Sequence, residues 1–270
     1  MASTRLARLK AILYLHALRT WRYKYSFINS SINMLLWITI LILGVIMFVP
    51  SEELGSVVPN LFWGIVVWNM ISYTVIYVAG WTTWFLVATG LIEEHILHNT
   101  RLSMLLMGRL ITVAAELAIA VPLVYAVLGS IAGHQHLITN PLLLVYGAAA
   151  AEAMALGYAL TISALGLRLN IPGTLLDVVN FLLFIIGGIA APIVRLPEPL
   201  RIVAILTPYS HAAEVVRYAA TGTRPYLGLW VEIVVSGVLA AALLTTGIIV
   251  YRLVEDRYIR RYGVRGLGRM

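Results

Sequence analysis

Six long apolar runs fill most of the 270-residue chain. They span Phe27–Val49, Leu61–Val87, Leu102–Leu128, Leu142–Leu167, Leu175–Val194 and Leu229–Tyr251. A bilayer's hydrocarbon core is about 30 Å thick, so about 20 mainly apolar residues are enough for a helix to cross it. Inside lipid every backbone N–H and C=O must be paired within the protein, so such runs must be helical. The expected fold is therefore an all-α membrane protein with six transmembrane helices.

The totals agree. The chain is 61% hydrophobic and 11% charged, against about 25% charged residues in a typical soluble domain. Six spans with short connections leave no room for a separate soluble domain. The first run is too long for a signal core, which is about 7–15 residues, and Phe48-Val49-Pro50-Ser51-Glu52 lacks a small-residue cleavage pattern. The net charge of +7 does not point to nucleic acid, because the basic residues sit in short segments flanking the spans. With no cysteine there is no disulfide framework, thiolate metal site or thiol nucleophile.

Lysine and arginine set the orientation. Fifteen of the nineteen lie before the first run, after the last, or in the loops following the second and fourth. The loops Pro50–Asn60 and Gly129–Pro141 hold none. The last outer loop holds four: Arg195, Arg201, Arg217 and Arg224. Both termini are expected in the cytoplasm, and the four outer arginines need a local reason.

Residues 4–24 have a helical pattern. Arg5, Arg8, Arg19 and Arg22 share one arc, with Leu6, Leu9, Leu13 and Ala17 roughly opposite. This predicts an N-terminal amphipathic helix that can lie in the inner headgroup layer, as an anchor or as an element carrying force along the membrane. The second run is longer than a crossing needs. Tyr73, Tyr77, Trp81 and Trp84 fall on one of its faces; an interfacial aromatic belt accounts for the tryptophans. The tyrosines are either packing residues or part of a substrate path. After it, Gly90–Arg109 holds a short charged helix, Leu91–His98, on the cytoplasmic side. The fourth run opens Gly147-Ala148-Ala149-Ala150-Ala151, small residues that let helices approach closely within one chain or between subunits.

The segment Pro192–Pro225 is the most distinctive. It is long, broken by Pro197, Pro199 and Pro208, and moderately apolar. Two short helices, Pro199–Leu206 and Ser210–Ala220, fit it as a re-entrant hairpin dipping into the outer leaflet. His211, Glu214 and Arg217 lie on one flank, and Glu214 can pair with Arg217 at i, i+3. That pair gives Arg217 its local reason.

No G-x-x-x-x-G-K-[ST] phosphate loop is present; the only lysines are Lys10 and Lys24. No H-E-x-x-H or paired-histidine metal spacing appears; His95/His98 and His134/His136 are isolated pairs in loops. Glu116, Glu152, Asp177 and Glu232 lie in or near lipid. Each is a proton- or cation-path candidate, or else a paired group inside the bundle.

The layout resembles the ABC-2 type membrane-spanning subunits of ATP-binding-cassette exporters. The resemblance covers nearly the whole chain. Gly90, Glu93, Glu94, Arg101, Gly108 and Arg109 look like the family's loop after the second span. Leu196-Pro197, Pro208, Glu214 and Arg217 look like its outer signature. Asn99-Thr100 departs from it, where the family often has proline. The resemblance implies one transmembrane domain: a connecting helix at 1–26, a six-span bundle at 27–251 and a basic tail at 252–270. It implies two copies of the chain docked on two copies of a separate ATPase subunit. This chain would hold no cofactor; ATP and magnesium would sit on the partner. Glu93, Glu94, His95 and Arg101 would couple to it. The outer hairpin would use Pro197, Pro208, His211, Glu214 and Arg217, and a substrate path could include Tyr73, Tyr77, Glu116 and Glu152. The implied location is the cell membrane, multi-pass, with a lipid-like, drug-like or other amphiphilic cargo. A polysaccharide or lipid-linked glycan exporter shares this topology. A proton-coupled transporter using Glu116 and Glu152, and a non-transporting scaffold, are the rivals of different class.

Overall fold

The structure, a computed structural model, describes residues 2–76, 138–169 and 173–259, with scattered positions from 89 to 126. Among the described residues it is helical throughout, with no strand. In chain order the helices are α1 (Ala2–Arg22), α2 (Lys24–Ile46), α3 (Leu54–Tyr73), α4 (Pro141–Leu169), α5 (Gly173–Ile186), α6 (Glu198–Leu206), α7 (Pro208–Thr221) and α8 (Leu229–Val254). A short 3-10 turn, Ile193–Arg195, precedes α6.

Three helices are long and apolar enough to cross a membrane: Leu54–Ile76, Pro141–Gly166 and Leu229–Arg257. Two of the runs read in the sequence fold differently from that reading. The α3 helix begins at Leu54, inside the expected loop Pro50–Asn60, and carries Pro59 within its first turns. That position lies past the unpaired first turn, so the proline removes one N–H that would otherwise bond the Gly55 carbonyl. The run Leu175–Val194 is not one helix: α5 ends at Ile186. Gly188 then takes φ 73°, a backbone shape natural to glycine, and Pro192 is extended at ψ 139°. Most of the run Leu102–Leu128 lies outside the described residues.

The bundle is built on α4 and α8, which cross closely along their length. Gly157 and Gly247 make this possible: a Cβ on Gly157 would strike the Leu243 backbone, and one on Gly247 would strike Gly157. Tyr146 donates to the Ile233 carbonyl at 2.6 Å near the N-terminal ends of both helices, so they run parallel.

Helix α7 lies among α3, α4 and α8 and is buried along nearly its whole length. Gly147 receives Val216, and Ala150 and Ala151 are buried beside it. The small-residue opening of α4 thus packs within the chain. At the C-terminal end of α7, Thr139 donates to Ala219 O at 2.7 Å and Asn140 N to the same oxygen at 2.8 Å. Thr221 reaches Asn60 at 3.4 Å, and Arg195 reaches Ser56 at 3.1 Å. The two segments without a basic residue, Pro50–Asn60 and Gly129–Pro141, therefore meet the arginine-bearing segment Pro192–Pro225 at one end of the bundle. The start of α7 is set deeper: Tyr209 packs edge-on against Tyr158 in the middle of α4, with ring centroids 6.4 Å apart.

Candidate functional site

The most concentrated polar chemistry in the described structure sits where α6 and α7 join α8. Both expected short helices form, slightly longer than read. Pro199 lies in the first turn of α6, with Pro197 as its N-cap, and Pro208 opens α7. These positions suit proline, whose missing N–H has no helical partner there. The turn between the helices is tied by Ser210, whose hydroxyl is 2.6 Å from both Ala204 O and Thr207 O. Gly222, in the left-handed conformation, ends α7.

One turn apart on α7, Glu214 and Arg217 form an ion pair at 2.8 Å, with the residues 2% and 1% exposed. The sequence suggested the pair near the outer interface; the structure encloses it in protein. Arg217 also donates to Gly188 O at 3.0 Å and to Ile189 O. Glu214 accepts the backbone N–H of Ile193 at 3.2 Å and of Tyr226 at 3.3 Å. The pair thus ties α7 to the α5–α6 connection and to the loop before α8. Gly64 on α3 seats it from the other side, where a Cβ would run into the Ile189 carbonyl and crowd the guanidinium. Burial pushes the Glu214 carboxyl up and Arg217 down. The ion pair and the backbone partners offset that cost.

A second pair was not read from the sequence. His211 Nδ1 lies 2.6 Å from Glu232 Oε2, and its Nε2 lies 3.0 Å from the Ile205 carbonyl. Both neighbours are acceptors, so the doubly protonated imidazolium satisfies both contacts. Burial lowers the His211 pKa, but Glu232, the Ile205 carbonyl and the charge of Glu214 outweigh it, and the net shift is upward. Glu232 lies in the first turn of α8, where a helix favours a negative charge, and accepts from Leu227 N at 3.4 Å. With His211 charged, two cations and two carboxylates balance inside one buried network. The signal for this pair was present: an acid one turn after Gly228 and a histidine on the flank of Glu214.

The third polar feature lies deeper. Thr74, at the end of α3, donates to Glu152 Oε1 at 2.6 Å, while Glu152 Oε2 is buried with no partner among the described residues. The Tyr209 hydroxyl is likewise buried and unpaired among the described residues. The sequence offered Glu152 no basic partner, and the structure gives it a hydroxyl instead. Tyr73, beside Thr74, is half-buried against the apolar core.

The remaining site residues divide. Glu94 is exposed, and its carbonyl accepts from His98 N at 3.0 Å, as in a helical turn, with Ile92 buried on the other side. That fits a short amphipathic helix. Tyr77, Glu93, His95, Arg101 and Glu116 lie outside the described residues. The Asp177 side chain does too.

These features describe a helical, membrane-protein-like chain with a buried charge network near one end. Comparison with known protein families and with curated proteins finds no match.

Proposed function

We propose that this chain is the membrane-spanning subunit of an ATP-driven exporter of the ABC-2 type, moving an amphiphilic, lipid-like or drug-like molecule out of the cytoplasm or inner leaflet. The reading rests on the α6–α7 hairpin. The residues that carry the outer signature (Leu196, Pro197, Pro208, Glu214, Arg217) belong to one compact unit around a buried ion pair. On this reading the unit is a re-entrant hairpin, supported by Tyr209, just after its turn, packing on Tyr158 in the middle of α4 while Ala219 and Thr221 meet Thr139 and Asn60 at the end of the bundle. Six crossings complete the topology: α2 and the run Leu102–Leu128 join the three long helices, and the 14-residue α5 crosses together with the non-helical connection that follows it.

Two copies pair and dock on two copies of a separate ATPase, which holds ATP and magnesium. ATP-driven closure pulls on the exposed segment around Glu94 and on α1, and the bundle passes the motion to the hairpin. The hairpin, pinned by Arg217 to the α5–α6 connection, closes the outer side between export events. The direct test is to purify the tagged chain from its native membrane. The proposal expects magnesium-dependent ATPase activity at a fixed ratio to the chain. Glu93→Arg with Glu94→Arg should lose that activity while insertion is retained, since reversed charge at such an interface costs a few kcal/mol. A chain without ATPase activity, or activity indifferent to the double change, rejects it.

One observation favours a second reading. Buried Glu152, one of whose oxygens has no partner among the described residues, is the kind of group a proton-accepting site in a coupled transporter needs. On that reading Glu152→Gln abolishes transport driven by a pH gradient; on the first, transport follows ATP.

A further inference from the structure

The deepest polar chemistry lies where the end of α3, the middle of α4 and the first turn of α7 meet. Thr74 is fully buried and donates to Glu152 Oε1 at 2.6 Å. Glu152 Oε2 is buried with no partner among the described residues, and so is the hydroxyl of Tyr209, a residue 4% exposed. The Tyr209 ring stands edge-on to Tyr158 at 6.4 Å and 80°, and its phenol interacts electrostatically with both Tyr158 and Glu152. A carboxylate, two phenol rings and a threonine hydroxyl thus share one place. Among the described residues no side-chain cation answers the carboxylate. Leu54–Ile76 and Pro141–Gly166 hold no lysine, arginine or histidine. On α7, Arg217 and His211 are taken by Glu214 and Glu232. The carboxylate also borders an open side of α4. Val145, Ala149 and Glu152 recur there at helical spacing, with Val145 66% exposed, Ala149 exposed and Glu152 half-buried.

We infer that Glu152, Thr74, Tyr158 and Tyr209 form the recognition site for the ammonium head of a cationic amphiphile, which narrows the cargo class of the exporter proposed above and rests on that reading. Three facts select this ligand. An ionised carboxylate away from water needs a counter-charge, and one hydroxyl fills only one of its roughly four acceptor positions. Phenol rings beside it suit an organic cation, whose weakly hydrated methyl or methylene groups can lie against a ring face. A metal ion fits less well: it takes several oxygen or nitrogen ligands, and the described residues hold no group of three histidines or acids. The open apolar side of α4, through Ala149 and Val145, gives the tail of an amphiphile a place beside the head. Thr74 holds one carboxylate oxygen in position, and the other meets the ammonium. Glu152 stands on α4 and Tyr209 in the first turn of α7, so a bound head touches both helices.

The test is equilibrium binding to the full chain in an uncharged detergent. The probes are a dansyl-tagged dodecyltrimethylammonium and its neutral isostere, in which carbon replaces the nitrogen; fluorescence anisotropy reads both. A trimethylammonium has no exchangeable proton, so its binding reports the cation itself. The cation should bind about tenfold more tightly than the isostere. Glu152→Gln should lower the cation to the affinity of the isostere, and its unfolding temperature, at or above that of the wild type, shows that it is folded. Tyr209→Phe keeps the ring and should keep the preference, whereas Tyr209→Leu should reduce it about threefold. Equal binding of the two probes overturns the inference; that is the result if Glu152 holds a proton instead. A preference that survives Glu152→Gln overturns it too. Binding needs no ATP, so either failure leaves the exporter reading standing. A Glu152-dependent preference in a chain that purifies without an ATPase supports the site and overturns its part in ATP-driven export.

Discussion

Arg217 is the residue on which the hairpin depends most. It is enclosed with Glu214, and its other hydrogen bonds go to backbone carbonyls that cannot be supplied elsewhere. Arg217→Ala leaves a carboxylate buried without its counter-charge and should cost about 3–5 kcal/mol. Glu214→Ala should cost a similar amount. The double change should be milder than the two added, because neither charge is then left alone. Thermal unfolding of the four proteins in one detergent measures the cycle, and strict additivity would refute the coupling. His211 adds a pH dependence. Its folded-state pKa is raised above the ordinary 6.5, so its contribution is complete below about pH 6.5 and is lost as pH rises through the folded value. The unfolding temperature should fall over that rise, and His211→Gln should flatten the fall. A wild-type profile matching the variant's would contradict the imidazolium assignment.

At the scale of elements, the α4–α8 crossing is a backbone-to-backbone contact. Gly157→Leu must push the helices apart, and overpacking of this kind costs about 1–3 kcal/mol or more. Gly166, on the same helix with open space around it, is the control. Gly166→Leu should unfold at nearly the wild-type temperature, and equal losses at both positions would show that α4 and α8 do not meet at Gly157. The sequence was informative for elements of this kind. Proline placement predicted α6 and α7 to within about two residues at each end, the usual scale of boundary scatter. The apolar runs gave α4 and α8. It was misleading where an apolar run hides a break: Leu175–Val194 reads as one span, but its helix stops at Ile186 and Gly188 redirects the chain. Hydropathy counts apolar residues and is blind to one glycine's dihedral angles.

For the whole molecule, the readable part was local and the unreadable part was long-range. The Glu214–Arg217 pair follows from spacing on a single helix. The His211–Glu232 pair joins two helices, and Thr74–Glu152 joins segments far apart in sequence; no periodicity encodes either. The loops around Ser56, Thr139 and Arg195, which the lysine and arginine count put on one side, meet at one end of the bundle. Arg195 and Arg217, in the segment expected outside, each have a protein partner: Ser56 for Arg195 and Glu214 for Arg217.

The central claim is that ATP, spent by a partner, drives export through this chain. Its most direct test is uptake of an amphiphilic fluorescent probe into inside-out vesicles that contain the chain with its ATPase. Uptake should require ATP and persist when the proton gradient is collapsed. Uptake by the chain alone, without ATP and driven by an imposed pH gradient, would contradict the account and turn attention to Glu152.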